Sequence, residues 1–234
     1  RSYVTARGWE DLSEILYLYE EEGLPVEEAL VGQYIRNEKV VKAFTAYYDL
    51  YQKYKKDYRI GDILSGAPSP QAVSRAKEAA FDERLSLLGM LLDRVMADMG
   101  DVMEQAAYLK DLKNPLKGIG DAVGGLPGEE PLETVLDRLE KQAAGRGKVL
   151  ESLQGANALS DADRHRHLKV IRFLEEARKE LYAGEGTTAS QGYAYVKEKY
   201  AGNVDQMKAE TKRVQGELHA LFAFVQEAFG QGNE

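Results

Sequence analysis

The sequence predicts an all-α protein, a short helical N-terminal segment followed by an antiparallel bundle of long, heptad-patterned helices. Three observations carry that prediction. Apolar residues recur at steps of three and four through most of the chain, the spacing of a helix face. No stretch shows the strict alternation of a half-buried strand. Only six prolines interrupt 234 residues rich in Leu, Ala, Glu, Lys and Arg.

Residues 5 to about 22 read as the first helix. Thr5 is its cap, Leu12, Ile15, Leu16 and Tyr19 its inward stripe, and Gly23 its stop. Pro25, at a position where a first turn tolerates proline, opens a short helix over Val26–Ile35 with Ala29, Leu30 and Tyr34 inward. Asn37 caps the next helix, on which Val40, Phe44, Tyr47, Tyr51, Tyr54 and Tyr58 share one face. Such a stripe suits core packing with hydroxyls reaching the rim, or the stacking of a planar ligand. Lys53, Lys55 and Lys56 complement the negative end of that helix dipole. Ile60–Leu64 adds one short turn.

Gly66-Ala67-Pro68-Ser69-Pro70 reads as a domain boundary, giving segments 1–66 and 67–234. Beyond it Phe81, Leu85, Leu88, Leu92, Val95, Met99, Val102, Ala106 and Leu109 step strictly four and three, a coiled-coil-like seam that Leu87, Leu91, Met96 and Met103 widen. Met90, Met96, Met99 and Met103 suit gap-filling in a core, or an adaptable groove. That helix is expected to end before Pro115, with a glycine-rich loop at about 114–131.

Pro131 starts the next helix, with Leu132, Val135, Leu136, Leu139 and Ala143 inward and Gly145 and Gly147 weakening it. Ser160 caps another, with Asp163 completing the capping arrangement, and Leu168, Ile171, Leu174 and Leu181 inward as far as Gly184. The last region runs from Tyr193, Val196 and Tyr200 through Val204, Met207, Thr211, Val214, Leu218, Leu221, Val225 and Ala228.

Hydrophobic residues at 44% and charged residues at 30% make a core-forming balance. A formal charge of −8 argues against nucleic acid or an anionic membrane as partner. No apolar run reaches the roughly 20 residues that span a bilayer. The absence of cysteine removes disulfides, thiolate metal sites and cysteine nucleophiles. The chain opens Arg1-Ser2-Tyr3 without a Met or a signal peptide, which reads as part of a longer cytoplasmic protein.

No catalytic residue and no metal ligand stands out. Gly145-Arg146-Gly147-Lys148 is followed by Val149 and lacks the hydroxyl of a phosphate loop; it reads as flexible linker, as does Gly118-Ile119-Gly120 through Gly125. His165 and His167 point to different faces of one helix, and the Asp161/His165 and Asp163/His167 pairs read as a solvated first turn. His219, beside the C-terminal stripe, reads as packing.

One segment carries a more specific likeness. Val4-Thr5-Ala6-Arg7-Gly8-Trp9-Glu10-Asp11-Leu12-Ser13 resembles the sensor-2 helix of MoxR-type AAA+ ATPases. There a capping Ser or Thr, usually a Pro, then an Arg open a helix of the C-terminal lid; Ala6 replaces the Pro here. Gln33-Tyr34-Ile35 and Tyr47-Tyr48-Asp49-Leu50-Tyr51-Gln52-Lys53-Tyr54 resemble the continuation in some bacterial members. The likeness covers residues 1 to about 66, and the remainder carries no motif of this kind.

The resemblance implies that Arg7 senses nucleotide, supported by the Thr5 cap, and that ATP and Mg²⁺ belong to a core lying before Arg1. This chain alone would not hydrolyse ATP. The partners implied are that upstream core, through which the protein would form homo-oligomers, and a client complex or a von Willebrand A-domain protein. The alternative for Arg7 is a surface ion pair with Glu10, Asp11 or the C-terminal chain. The alternative for the whole chain is a free-standing helical scaffold or adaptor without nucleotide.

Overall fold

A computed structural model describes residues 5–124, 130–156, 158–184 and 188–230. Among them the protein is an all-α helical bundle of nine helices. These are α1 (Ala6–Glu21), α2 (Glu28–Tyr34), α3 (Glu38–Tyr58), α4 (Ile60–Leu64), α5 (Pro70–Glu78), α6 (Phe81–Gly124), α7 (Glu133–Gly155), α8 (Asp161–Ala183) and α9 (Ala189–Phe229). One isolated antiparallel bridge joins Pro131 to Thr188. No described helix is long and apolar enough to cross a membrane.

The chain divides into two compact units, one of residues 1–93 with 217–234 and one of residues 94–216. The helix caps form where the sequence places them. Thr5 Oγ1 accepts from Gly8 N at 3.1 Å, Asn37 Oδ1 from Lys39 N at 3.1 Å and Ser160 Oγ from Asp163 N at 3.1 Å. Each satisfies a first-turn N–H that has no intrahelical acceptor.

In the first unit Leu12, Val26, Leu30, Val31, Ile35, Val41 and Tyr48 form one core, with Ile15, Leu16, Tyr19 and Phe44 packed against it. Ala29 is exposed, so α2 buries Leu30 and Val31 instead. The tyrosine face of α3 is rotated from the expected one. Tyr48, Tyr54 and Tyr58 are buried while Tyr47 is 55% exposed. The cause is polar as well as apolar, because the Tyr48 hydroxyl turns inward to donate to Glu20 of α1 at 2.9 Å.

In the second unit Leu109, Leu112, Leu116 and Ile119 of α6 meet Val135, Leu136 and Leu139 of α7, Val170, Phe173, Leu174 and Ala177 of α8, and Val196 of α9. The inward face of α8 therefore centres on Val170, Phe173 and Leu174, and Leu168 is 41% exposed.

Two expected breaks are helical. Pro115 lies inside α6, which continues to Gly124; the buried Leu112, Leu116 and Ile119 on both sides of it hold the helix together across the missing hydrogen bond. Of the glycine-rich loop expected at about 114–131, residues 114–124 are therefore helix, and residues 125–129 lie outside the described residues. Gly145 and Gly147 lie within α7, whose flanking Ala143 and Leu150 are buried. Open space surrounds the position a Cβ would take at Gly145. Gly145→Ala is therefore expected to raise stability by about 0.5–1 kcal/mol in urea unfolding; a loss of stability would contradict a helical residue there.

The seam expected on α6 is covered only in part. Val95 and Leu109 are buried, but Phe81, Leu85, Leu92 and Met99 are exposed. The covered stripe is Leu87, Met90, Leu91, Val95 and Asp98, continuing to Tyr108 and Leu112. Met90 fills the core at 3% exposure, whereas Met96, Met99 and Met103 do not.

Candidate functional site

Arg7 sits in the first turn of α1, two residues after the capping Thr5, and is exposed. Thr5 adopts φ −88° and ψ 152°, the extended backbone of an N-cap. Gly8 allows the turn its position, because a Cβ there would lie 2.9 Å from the carbonyl oxygen of Tyr34 at the end of α2. Among the described residues Arg7 forms no ion pair and no side-chain hydrogen bond, so the pairing with Glu10 or Asp11 is not formed. The C-terminal residues 231–234 lie outside the described residues. The resulting feature is a permanent cation beside free backbone N–H groups, an arrangement suited to an anionic oxygen.

Behind this turn α1 is held to α3 by polar bonds as well as by the core. Glu20 accepts from Tyr48 at 2.9 Å and from Gln52 at 2.6 Å, and pairs with Lys55 at 3.0 Å. Burial alone raises the Glu20 carboxyl, but the bonds from Lys55 and Tyr48 outweigh it and hold the group below its ordinary range. Burial, with the Glu20 bond added, pushes the Tyr48 hydroxyl up to about 12. Trp9 packs against Phe44 with ring centroids 5.5 Å apart. Helices α1, α2 and α3 thus form one body carrying Arg7 at an edge.

Two polar clusters in the second unit escape sequence reasoning. Asp98 of α6 is 6% exposed and accepts from Arg94 at 2.8 Å and from Arg213 of α9 at 3.3 Å. Burial raises its carboxyl, yet the two arginines bring it below the usual carboxylate range. The Arg94 partner at i,i+4 has a sequence signal; Arg213, far along the chain, has none. A cleft of about 540 Å³ beside it is lined by Asp101, Glu104, Lys169, Met207 and Glu210 among others.

The second cluster joins three helices. Asp111 of α6 pairs with Arg146 of α7 at 2.6 Å and Arg166 of α8 at 3.4 Å, and Arg166 also pairs with Asp163. The Gly145-Arg146-Gly147 stretch is therefore a structural tie within a helix. His165 is exposed, while the Nδ1 of His167 is buried without a hydrogen-bond partner. No group of three or more potential metal ligands occurs among the described residues. His219 is exposed, so it is not the packing residue its position suggests.

Burial, followed by the Arg146 charge, lowers the pKa of His167. The unfolded imidazole then binds a proton before the folded one does, and stability falls as pH drops through the ordinary histidine range near 6.5. His167→Gln is expected to flatten that fall between about pH 7 and 5 in thermal unfolding; an unchanged slope would contradict the assignment.

No family model, no curated protein and no solved structure matches the chain.

Proposed function

We propose that residues 1 to about 66 form the C-terminal lid segment of a MoxR-type AAA+ ATPase, with Arg7 sensing the state of the nucleotide bound by an upstream core. The observation that carries the reading is Arg7 itself, an exposed guanidinium in a capped first helical turn with no partner among the described residues. A guanidinium binds two phosphate oxygens at once and keeps its charge at every physiological pH. ATP and Mg²⁺ would be held by the upstream core, and the hydrolytic chemistry would be supplied there.

The work of this chain is mechanical. When the terminal phosphate leaves, Arg7 loses a charge-assisted contact and the preferred position of the lid changes. The Gly8–Tyr34 approach and the Glu20 bonds to Tyr48, Gln52 and Lys55 make α1 to α3 move as one piece. The long helices that follow would pass this motion to a client complex or a von Willebrand A-domain partner.

In the full-length protein Arg7→Ala is expected to lower ATP turnover about tenfold or more, the equivalent of losing one hydrogen bond to a charged group. Arg7→Lys should recover part of it, since the charge remains and the two-pronged geometry does not. An unchanged turnover in Arg7→Ala, with unchanged circular dichroism, would overturn the assignment.

A second reading, a helical interaction module without nucleotide, is favoured by the exposed apolar face of α6. Phe81, Leu85, Met96 and Met103 are each more than half exposed. Soluble chains rarely leave such a row uncovered without a use for it. Failure of ATP or its analogues to alter the lid in the full-length protein would leave this reading standing.

A further inference from the structure

A polar layer crosses the second unit where α6, α7 and α8 meet. Arg146 of α7 and Arg166 of α8 converge on one oxygen, Oδ2 of Asp111 of α6, and Arg166 also pairs with Asp163. His167 stands in the same turn of α8. Two nitrogens of this layer are shut off from solvent without a hydrogen-bond partner, Nε of Arg146 and Nδ1 of His167. Buried polar groups are almost always bonded, so two orphans in one layer call for an explanation. The arginine nitrogen is the more exacting, because a guanidinium N–H can only donate.

Both residues face the contact between α7 and α8. At about 100° per residue, Arg146 lies within about 60° of the buried Ala143 and Leu150 on α7. His167 lies about 60° from the buried Val170 on α8, on the side from which Arg178 reaches Glu140 of α7. That pair also sets the antiparallel register of the two helices. It brings His167 level with a point about five residues, or about 7 Å, beyond Arg146. An arginine side chain spans that height, and the Arg146 charge is felt at His167, where it follows burial as the cause that holds the imidazole neutral.

We infer that this layer binds one chloride-sized monovalent anion between Nε of Arg146 and Nδ1 of His167, taken up together with a proton on the imidazole. Protonation at Nδ1 makes both orphan nitrogens donors, and the anion accepts from each. The charges facing His167 are Arg146 from α7, Asp111 from α6, and Arg166 and Asp163 from α8 itself. With His167 neutral these four cancel. With it protonated, three cations face two carboxylates, and Asp163 is 41% exposed, so water screens part of its charge. An uncompensated charge is costly in an enclosed layer, and a bound anion restores the balance. Protonation therefore favours the anion, and by reciprocity the anion raises the affinity of His167 for its proton. A water molecule can bridge the two nitrogens of the neutral layer but supplies no charge.

The site is independent of Arg7, and its failure leaves that role untouched. The test follows the histidine titrations of the full chain by NMR in sodium chloride and in sodium gluconate, whose anion is too large for an enclosed site. Both salts are used at about 150 mM, so that ionic screening is the same. His167 should titrate at a pH about 0.5–1 higher in chloride, as a dissociation constant in the tens of millimolar produces by linkage. The exposed His165 and His219 should titrate alike in both salts and serve as internal references. Chloride should raise the melting temperature over gluconate at about pH 5.5, below the ordinary histidine value, and not at about pH 8. His167→Gln should remove that effect. Arg146→Met should raise the His167 titration in gluconate, because the opposing charge is gone, and abolish the difference between the salts. An identical His167 titration in both salts, which would mean a water molecule only, or a chloride effect on melting that persists in His167→Gln, would overturn the proposal.

Discussion

Leu174→Ala is expected to destabilise the protein by about 2–5 kcal/mol. Leu174 is fully buried in α8, in the cluster that holds α6, α7, α8 and α9 together. Removing its isobutyl group loses the transfer free energy and leaves a cavity that neighbouring Leu, Val and Phe side chains fill only in part. The control is Leu168→Ala on the same helix, where 41% exposure predicts a loss of under about 1 kcal/mol. Urea unfolding of both variants measures the difference. Equal losses would mean that α8 presents a different face to the core.

The second large effect concerns Asp98. Replacing both of its arginines, Arg94→Met with Arg213→Met, leaves a carboxylate that is 6% exposed without either hydrogen-bonded cation. Arg94 and Arg213 are themselves 62% and 43% exposed, so solvent screens the pair and the loss is about 1–3 kcal/mol, the cost of leaving the shielded carboxylate without its charged donors. The pH dependence supplies the check. In the wild type the folded Asp98 pKa is depressed, so its contribution is present above the unfolded value near 3.9 and is lost as pH falls through the folded value. In the double variant burial acts alone and raises the pKa, so protonation relieves the penalty. The stability gap between the two proteins should narrow below about pH 4. A gap independent of pH would place the loss in packing and not in charge.

The ends of the helices could be read from sequence because capping is local. Thr5, Asn37 and Ser160 each act on a backbone N–H two or three residues away, a distance the sequence displays directly. The inward faces of α1 and α7 were equally open, since each has a single apolar stripe. Helix α6 was not, because it is apolar on two sides and spacing alone does not say which side its own chain covers. Tyr47 and Tyr48 pose the same difficulty in miniature, decided by a hydrogen bond to Glu20 on another helix. Pro115 and the Gly145-Arg146-Gly147 stretch misled for the opposite reason. Their local preference is to break a helix, and buried leucines together with the Asp111–Arg146 pair override it.

Of the candidate site, Thr5 and Arg7 are adjacent in sequence and their arrangement follows from the cap. The close approach of Gly8 to Tyr34 is a tertiary contact with no sequence signature beyond the glycine itself. The arginine clamp on Asp98 draws on α9, far along the chain, and becomes visible only once the helices are packed.

The coding sequence upstream of the Arg1 codon decides between a lid segment and a free-standing helical module. The lid reading predicts an open frame of a few hundred residues containing GxxxxGK[ST], followed by an apolar strand ending in acidic residues, the elements that cradle phosphate and hold Mg²⁺. A start codon immediately before Arg1, with no such frame, would contradict it.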